Sequence, residues 1–479
     1  MTTMTITRAS QAGDVGAPED VSSVRAIRRR HLALVLLASA QFVVMLDTSI
    51  VNVALPSIQA DLGLSPTGLT WVVNAYVLTF GGLLLVFGRL ADLVGRRRMF
   101  VGGSAVFTLG TLIAASAGTS ELLVAGRIVQ GAGAAALSPA AMSLLLLTFP
   151  GEMRARAMSV WGAASAVGGA TGVLAGGLLS GLLGWSSVFY VTVPVSITAV
   201  VLARHLLDEG ARGTRRRLDG RGAVTITGAV VALVHGALGV GEGNVASPSV
   251  LVSFTAATAL FTLFVLAERR TADPLVPLEL FRSRVLSTGV ALAVFGGAAR
   301  ASTFVLVALY LQQGLRMAPE QAGLAMVPTS LTGFVVSLAL LPRLLRLLGP
   351  RRTLVLGLLI LATGHLWLAY APLGGGYAVA VLPALFLVAV GVAMSFTPTT
   401  MVIASAVPET HTGLASGLAG SATQVGAALG TAGFTAIGIS AGGGAAVLGA
   451  GRFTAAFTAA AVVALATAVL GATIARSRA

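Results

Sequence analysis

Three charged side chains stand where apolar sequence surrounds them: Asp47 in FVVMLDTSIVNVALP, Arg127 in the run that opens near Glu121, and Arg300 in the run that opens near Val285. A charge taken out of water is costly unless it meets a counter-ion, a hydrogen-bond partner or a wet cavity. Only the carboxylate can shed its charge, by taking up a proton, whereas a guanidinium stays charged. The chemistry on offer is therefore reversible protonation of a buried acid beside a fixed cation. At 100° per residue, Gln41, Asp47, Thr48 and Asn52 fall within an arc of roughly 140° on a helix, a polar face suited to lining a cavity. Counted from Leu55 and from Glu121, Asp47 lies roughly 12 Å and Arg127 roughly 9 Å below the same surface at about 1.5 Å per residue. Two readings fit. Asp47 exchanges a proton and Arg127 sets its charge, or the two form a permanent ion pair that only braces helices.

The elements that position these groups cross a membrane. Of 479 residues, 56% are hydrophobic and 10% charged, against about 25% charged in soluble domains. Mean hydropathy is +0.91. There is no cysteine, which excludes disulfides, thiolate metal sites and cysteine nucleophiles. The net charge of +14 comes entirely from arginine and sits in short loops, where it sets topology rather than binding nucleic acid. Runs long enough for a bilayer core of about 30 Å predict fourteen spans: 31–55, 69–90, 99–118, 121–148, 157–183, 186–207, 221–241, 249–267, 285–312, 320–345, 352–371, 376–402, 411–438 and 452–474. With the N-terminus inside, 27 of the 31 arginines face the cytoplasm, so both ends are cytoplasmic. GRLADLVGRRR (Gly88 to Arg98) recurs as PRLLRLLGPRR (Pro342 to Arg352) at an offset of 254 residues. This predicts a duplicated chain: a disordered basic tail at 1–30, a six-helix bundle at 31–207, an inserted helix pair with its flanking loops at 208–284, a second six-helix bundle at 285–474 and a short tail at 475–479. Duplicated bundles with a central site are a transporter architecture.

Several motifs carry a family resemblance. GRLADLVGRRR resembles the signature loop between helices two and three of the major facilitator superfamily, and RIVQGAGAAALSPA (Arg127 to Ala140) resembles its fourth-helix motif. LDTSIVNVALP (Leu46 to Pro56) resembles the first-helix motif of the fourteen-helix drug:proton antiporters, with WVVNAYVLTFGG and ALYLQQ adding to the match. The resemblance implies an all-α integral membrane fold, two six-helix bundles plus two inserted transmembrane helices. It also implies a cytoplasmic gate at Gly88, Asp92, Gly95, Arg96 and Arg97, with Asp92 braced against the start of a helix near Glu409 to Gly413; a plain topology loop would account for the arginines but not for Asp92. Span five carries small residues every fourth position, including Gly168, Gly172 and Gly176, a ridge for close helix contact. This ridge fits the family's antiporter motif at Gly172, Gly176 and Gly177, yet Val173 stands where that motif has proline. Packing alone is an equal reading of the ridge.

Polar residues near span centres and ends, namely Asn74, Tyr76, Gln130, Gln313 and Gln424, could join Gln41, Thr48, Asn52 and Arg300 in lining a substrate cavity, or could serve interhelical hydrogen bonding. Arg300 matches no motif; it fits either a substrate contact or a structural pair, including one with Asp47. His235 and His365 read as packing residues. One core acid against two core arginines favours a neutral or anionic cargo over a dicationic one. There is no metal-ligating cluster, no paired intramembrane acids and no phosphate loop, so an enzyme is not expected, and a proton gradient rather than a cofactor or ATP would supply energy. The expectation is a monomeric, multi-pass transporter of the cell membrane that exports small amphipathic drugs or antibiotics in exchange for protons. The alternative is an importer or a dedicated metabolite exporter of the same fold.

Overall fold

The computed structural model describes residues 19–208, 218–241, 247–371, 376–441 and 450–476. Among these residues every regular element is helical. Lipid demands this, because a helix satisfies its own backbone hydrogen bonds where no water can. Thirteen runs are long and apolar enough to cross a membrane, and one of them, Gln321–Tyr370, has 50 residues. At 1.5 Å per residue it would reach about 75 Å, more than twice a bilayer core of about 30 Å. Gly349 breaks it, with φ 74 and ψ 167, so the run is long enough for two crossings, which makes fourteen candidate crossings among the described residues. Gly95, its counterpart at the predicted offset, also has a positive φ, 114. In both copies a glycine turns the chain between a helix that arrives at one end of the bundle and one that leaves it.

Most span ends fall within a few residues of the sequence expectation, and span one is the exception. Its helix runs Glu19–Leu62, straight through Pro56. Proline there removes one backbone donor, leaving the Asn52 carbonyl without its usual partner, but the flanking turns hold. Asp47 therefore sits near the middle of this helix, deeper than the count from Leu55 implied. Residues 19–30 are helical rather than a disordered tail: from Glu19 to Arg30 no glycine or proline interrupts the run. Arg29 pairs with Asp208 at 2.6 Å, in water, where such a pair adds little. Tail residues 1–18, loop residues 209–217 with Arg212 and Arg215 to Arg217, and the end 477–479 lie outside the described residues.

Spans one to six share one large apolar cluster that includes Leu37, Phe100, Phe107, Leu145 and Trp161, and spans nine to fourteen share another around Leu306, Leu358, Leu385 and Phe457. A further cluster joins Leu78, Leu85 and Val86 of span two to Ile226, Val230 and Val234 of span seven, Phe264 of span eight and Leu414 of span thirteen. The inserted pair thus docks where spans two and thirteen meet. Spans seven and eight hold each other through His235 Nδ1 and Ser253 Oγ, 3.0 Å apart.

Span five packs along span one. A Cβ on Gly172 would lie 2.6 Å from Ser49 Cβ and 2.8 Å from the Leu46 carbonyl, and one on Gly176 would lie 2.9 Å from the Ile50 carbonyl. Gly168 meets the Phe42 carbonyl in the same way. Gly177 does not share this contact: its nearest neighbour would be Val53 Cγ1, at 3.9 Å. The helix Glu152–Leu183 runs unbroken through Val173, whose Cγ1 lies 3.3 Å from the place a Cβ on Gly323 would take, across the seam in the other half. Overpacking of this kind costs about 1–3 kcal/mol. Gly172→Ala should lower the melting temperature of the detergent-purified protein, measured by size-exclusion after heating, while Gly177→Ala leaves it unchanged; equal melting of the two variants would contradict the packing assignment.

Candidate functional site

Asp47 is fully buried and Arg127 is 2% exposed. Arg127 Nη1 donates to Asp47 Oδ2 at 2.8 Å and to Gln130 Oε1 at 2.6 Å. Gln130 Nε2 donates to Asp47 Oδ1 at 2.7 Å and to Thr111 Oγ1 at 2.9 Å. Each carboxylate oxygen thus accepts one hydrogen bond, one from a cation and one from a neutral amide. Arg127 Nε donates to the Val72 carbonyl at 3.2 Å, and its Cζ lies 4.2 Å from the centre of the Tyr76 ring. Tyr76 in turn stacks on Phe80. The cluster draws on spans one, two, three and four, and its contacts are charge-assisted bonds of the stronger kind.

Glycines let these helices come so close. A Cβ on Gly126 would lie 2.7 Å from the Ala114 backbone nitrogen, and one on Gly131 would lie 2.8 Å from the Tyr76 carbonyl. Close approach of span three brings Thr111 within reach of Gln130, and close approach of span two slides Tyr76 beneath Arg127. Removing one member of a buried ion pair costs about 3–5 kcal/mol, because the other is left uncompensated. Besides Asp47, Arg127 also holds Gln130, the Val72 carbonyl and the Tyr76 ring.

The rest of the polar face of span one does not converge on Asp47. Gln41 is buried and donates from Nε2 to Ser165 Oγ of span five at 2.9 Å. Thr48 donates back to the Val44 carbonyl at 3.0 Å, and Asn52 is exposed. Asn74 is half-buried on span two. Gln424 is half-buried on span thirteen, its Cβ 3.6 Å from where a Cβ on Gly81 would stand, so it lies between the two halves. Gln313 is half-buried in the π-turn Tyr310–Gly314 that ends span nine. Arg300 is 4% exposed and, in this conformation, is not paired with Asp47, whose two oxygens are taken by Arg127 and Gln130. His365 is buried, with Nε2 2.6 Å from Thr303 Oγ1.

At one edge of the bundle Asp92 reaches across the seam. Its Oδ1 accepts from the Gly413 backbone N–H at 2.9 Å and its Oδ2 from that of Leu414 at 2.8 Å, in the first turn of the helix Thr412–Ala441. Those N–H groups have no intrahelical acceptor, and a carboxylate also meets the positive end of the helix dipole. Arg96 donates from Nη2 to Asp92 Oδ1 at 2.9 Å and to the Glu409 carbonyl at 2.7 Å. Arg97 donates to the Leu207 carbonyl at 3.3 Å, within its own half. Gly88 is needed for contact: a Cβ there would lie 2.6 Å from the Gly413 carbonyl and 2.8 Å from Gly417 Cα. Met401 and Ala404 of span twelve pack against the core of the first half. The two halves are therefore joined at the end of the bundle that carries Asp92.

Three contributors had no sequence signal. Thr111 and Ser165 are hydroxyls among many in apolar runs, and only the fold says which of them meets an amide. Glu268, at the end of span eight, is 4% exposed and accepts from the Leu275 and Val276 backbone N–H groups at 3.2 and 3.0 Å, and Arg89 donates to the neighbouring Pro274 carbonyl at 3.5 Å. This contact ties the inserted pair to the residue next to Gly88; a lone acid at a span end gave no reason to expect it.

Residues 37–431 match the family model of the Major Facilitator Superfamily. The chain is 38% identical over 404 residues to a cephamycin export protein of Amycolatopsis lactamdurans, covering 84% of this chain and 83% of that protein. It is 37% identical over 408 residues to a puromycin resistance protein of Streptomyces alboniger, covering 84% and 81%. Its fold is similar to the crystal structure of the human organic anion transporter MFSD10, with a TM-score of 0.66 at 15% identity, over 92% of this chain and 99% of that one. The chain belongs to the Major Facilitator Superfamily and is a multi-pass membrane protein.

With no native cysteine, the gate can be read by labelling. Ser416 is buried behind Asp92 at the joined ends. A cysteine introduced by Ser416→Cys should react slowly with a membrane-impermeant maleimide applied to inside-out vesicles, and roughly tenfold faster when Asp92→Asn removes the charge that holds two N–H groups. Unchanged labelling would show that Asp92 does not hold the halves together.

Proposed function

We propose that this major facilitator chain exports small amphipathic drugs or antibiotics across the cytoplasmic membrane by alternating access, driven by proton entry. The observation that carries the proposal is Asp47, a carboxylate with no exposed surface at the middle of a membrane helix, each oxygen bonded by a side chain of span four. When a proton neutralises Asp47, its attraction to Arg127 weakens and spans one and four can part. When the proton leaves, the ion pair reforms. Coupling needs this alternation, and a change of cavity side is its natural trigger.

Names of relatives support the direction of transport: both are described by export of, or resistance to, an antibiotic. Asn74, Arg300, Gln313 and Gln424 are the polar groups offered to the cargo, whereas Tyr76 and Gln130 are committed to the Asp47 cluster, Gln41 to Ser165 and Thr48 to its own helix, and Asn52 stands exposed. The two mid-membrane arginines against a single mid-membrane acid favour a neutral or anionic molecule over a dication. Asp92 with Gly88, Gly95, Arg96 and Arg97 forms the cytoplasmic lock that must open to load it. Arginine-rich loops place both termini in the cytoplasm, and the chain works as a monomer that needs no cofactor, the proton gradient being its energy source.

In an efflux-deficient bacterial host, expression should raise resistance to a subset of a drug panel, and a protonophore should abolish the gain. Asp47→Asn should reach the membrane in normal amount and lose pH-gradient-driven transport in inside-out vesicles. Resistance unaffected by the protonophore, or full coupling in Asp47→Asn, would refute proton exchange at this residue.

A further inference from the structure

Arg300 stands at the middle of the helix run Arg284–Gly314, near the centre of the bilayer. It is 4% exposed, and neither Nη1 nor Nη2 has a hydrogen-bond partner among the described residues. The Phe396 ring of span twelve lies 5.9 Å from its Cζ, the outer limit of a cation–π contact. Gly296, one turn earlier, leaves the guanidinium its space: a Cβ there would lie 2.6 Å from Nη1.

The second half cannot neutralise this charge. From 285 to 474 the sequence holds two carboxylates, Glu320 and Glu409, and both stand at span ends. Asp47, the mid-membrane acid of the first half, has both oxygens engaged by Arg127 and Gln130. A guanidinium does not escape by deprotonation, and an unpaired buried charge is strongly unfavourable. The counter-ion must therefore come from outside the chain.

We infer that Arg300 is the anion-binding subsite for the cargo, taking a carboxylate or a comparable anionic oxygen pair on the fork of Nη1 and Nη2, with an apolar ring of the same molecule against Phe396. Two parallel N–H donors match two anionic oxygens. That the bound anion is cargo rests on the exporter reading, and the inference narrows that reading to amphipathic monoanions. Gly296 is the permissive residue, since any side chain there displaces the fork without changing the charge.

Equilibrium binding to the purified full-length protein tests this with a matched set of probes: naphthylacetate, its neutral amide and naphthylmethylamine, in a low-salt zwitterionic buffer. The wild type should prefer the acid over the amide by about tenfold, the effect of one good charge-assisted contact, and should bind the amine most weakly. Arg300→Gln should bring acid and amide within about twofold, Arg300→Lys should keep part of the preference, and Gly296→Ala should weaken the acid and spare the amide. Gly296→Ala and Arg300→Lys keep the test open if Arg300→Gln fails to fold. Adding chloride should shift acid binding only slightly. Equal binding of acid and amide by the wild type, binding of none of the three, or an acid preference that survives Arg300→Gln would overturn the inference. So would tight chloride binding that depends on Arg300 and blocks the acid completely, which would make the arginine a site for an inorganic counter-ion only. Binding is read without a gradient, so coupled transport retained in Asp47→Asn, with the acid preference of the wild type intact, would contradict the coupling reading alone. Loss of the preference with coupling intact would contradict this inference alone.

Discussion

A charge in the middle of a bilayer has to be answered by something, and that constraint organises this protein. Asp47 is answered within the chain by Arg127 and Gln130, and these two are held by Thr111, the Val72 carbonyl and the Tyr76 ring. Four helices must converge to within hydrogen-bonding distance for this to happen. The glycines at 126 and 131 are the geometric condition for it, because a methyl group at either position would stand against a neighbouring backbone. The small residues of the first half and the charge it buries are one design: close helix approach exists so that a carboxylate can sit in a low dielectric without a ruinous desolvation cost.

The two halves meet under the same electrostatic logic at the edge that carries Asp92. Asp92 is stabilised by the free N–H groups that begin a helix of the other half, and Arg96 spans the same junction. This contact belongs to one conformation only, since a carboxylate reaches Gly413 and Leu414 only when the halves are closed there. The bundle thus has two charge-dependent contacts, one inside a half and one between halves. On the flank of the seam, Arg89 and Glu268 bind the loop 274–276, so the inserted helices are fastened beside the residue whose neighbour, Gly88, touches span thirteen. Alternating access requires the interfacial contact to respond to the internal one, and span two carries both: Val72 and Tyr76 touch Arg127, and Asp92 lies further along the same helix.

Much of this was legible in the sequence, for reasons that can be named. Spans declare themselves because lipid tolerates little besides apolar helix, so their ends agree with the structure wherever a polar or charged residue marks the interface. Span one escaped because Pro56 looks like a terminus, yet a helix bears one missing N–H when its neighbours hold it. The merged run Gln321–Tyr370 shows the converse: Gly349, unremarkable by hydropathy, takes a left-handed turn that its repeat partner Gly95 had foreshadowed. Asp47 and Arg127 could be paired by depth because charges in apolar runs are rare. Thr111 and Ser165 could not, since a hydroxyl costs little to place and their partners come from tertiary approach. Gln41, Thr48 and Asn52 share a helical face, but helical angle alone does not reveal that Gln41 serves span five. Gly177 shows the same limit, for it belongs to the pattern of the ridge and not to its contact.

The account stands on whether Asp47 changes its protonation state in place. Infrared difference spectra of the purified protein, taken across pH with aspartate isotopically labelled, report this directly through the carbonyl stretch of a protonated carboxyl group. The account predicts a labelled carboxyl band that grows as pH falls, responds to cargo and is absent from Asp47→Asn. A spectrum of Asp47→Asn identical to that of the wild type at every pH where transport runs would contradict it, leaving Asp47 and Arg127 as a permanent brace.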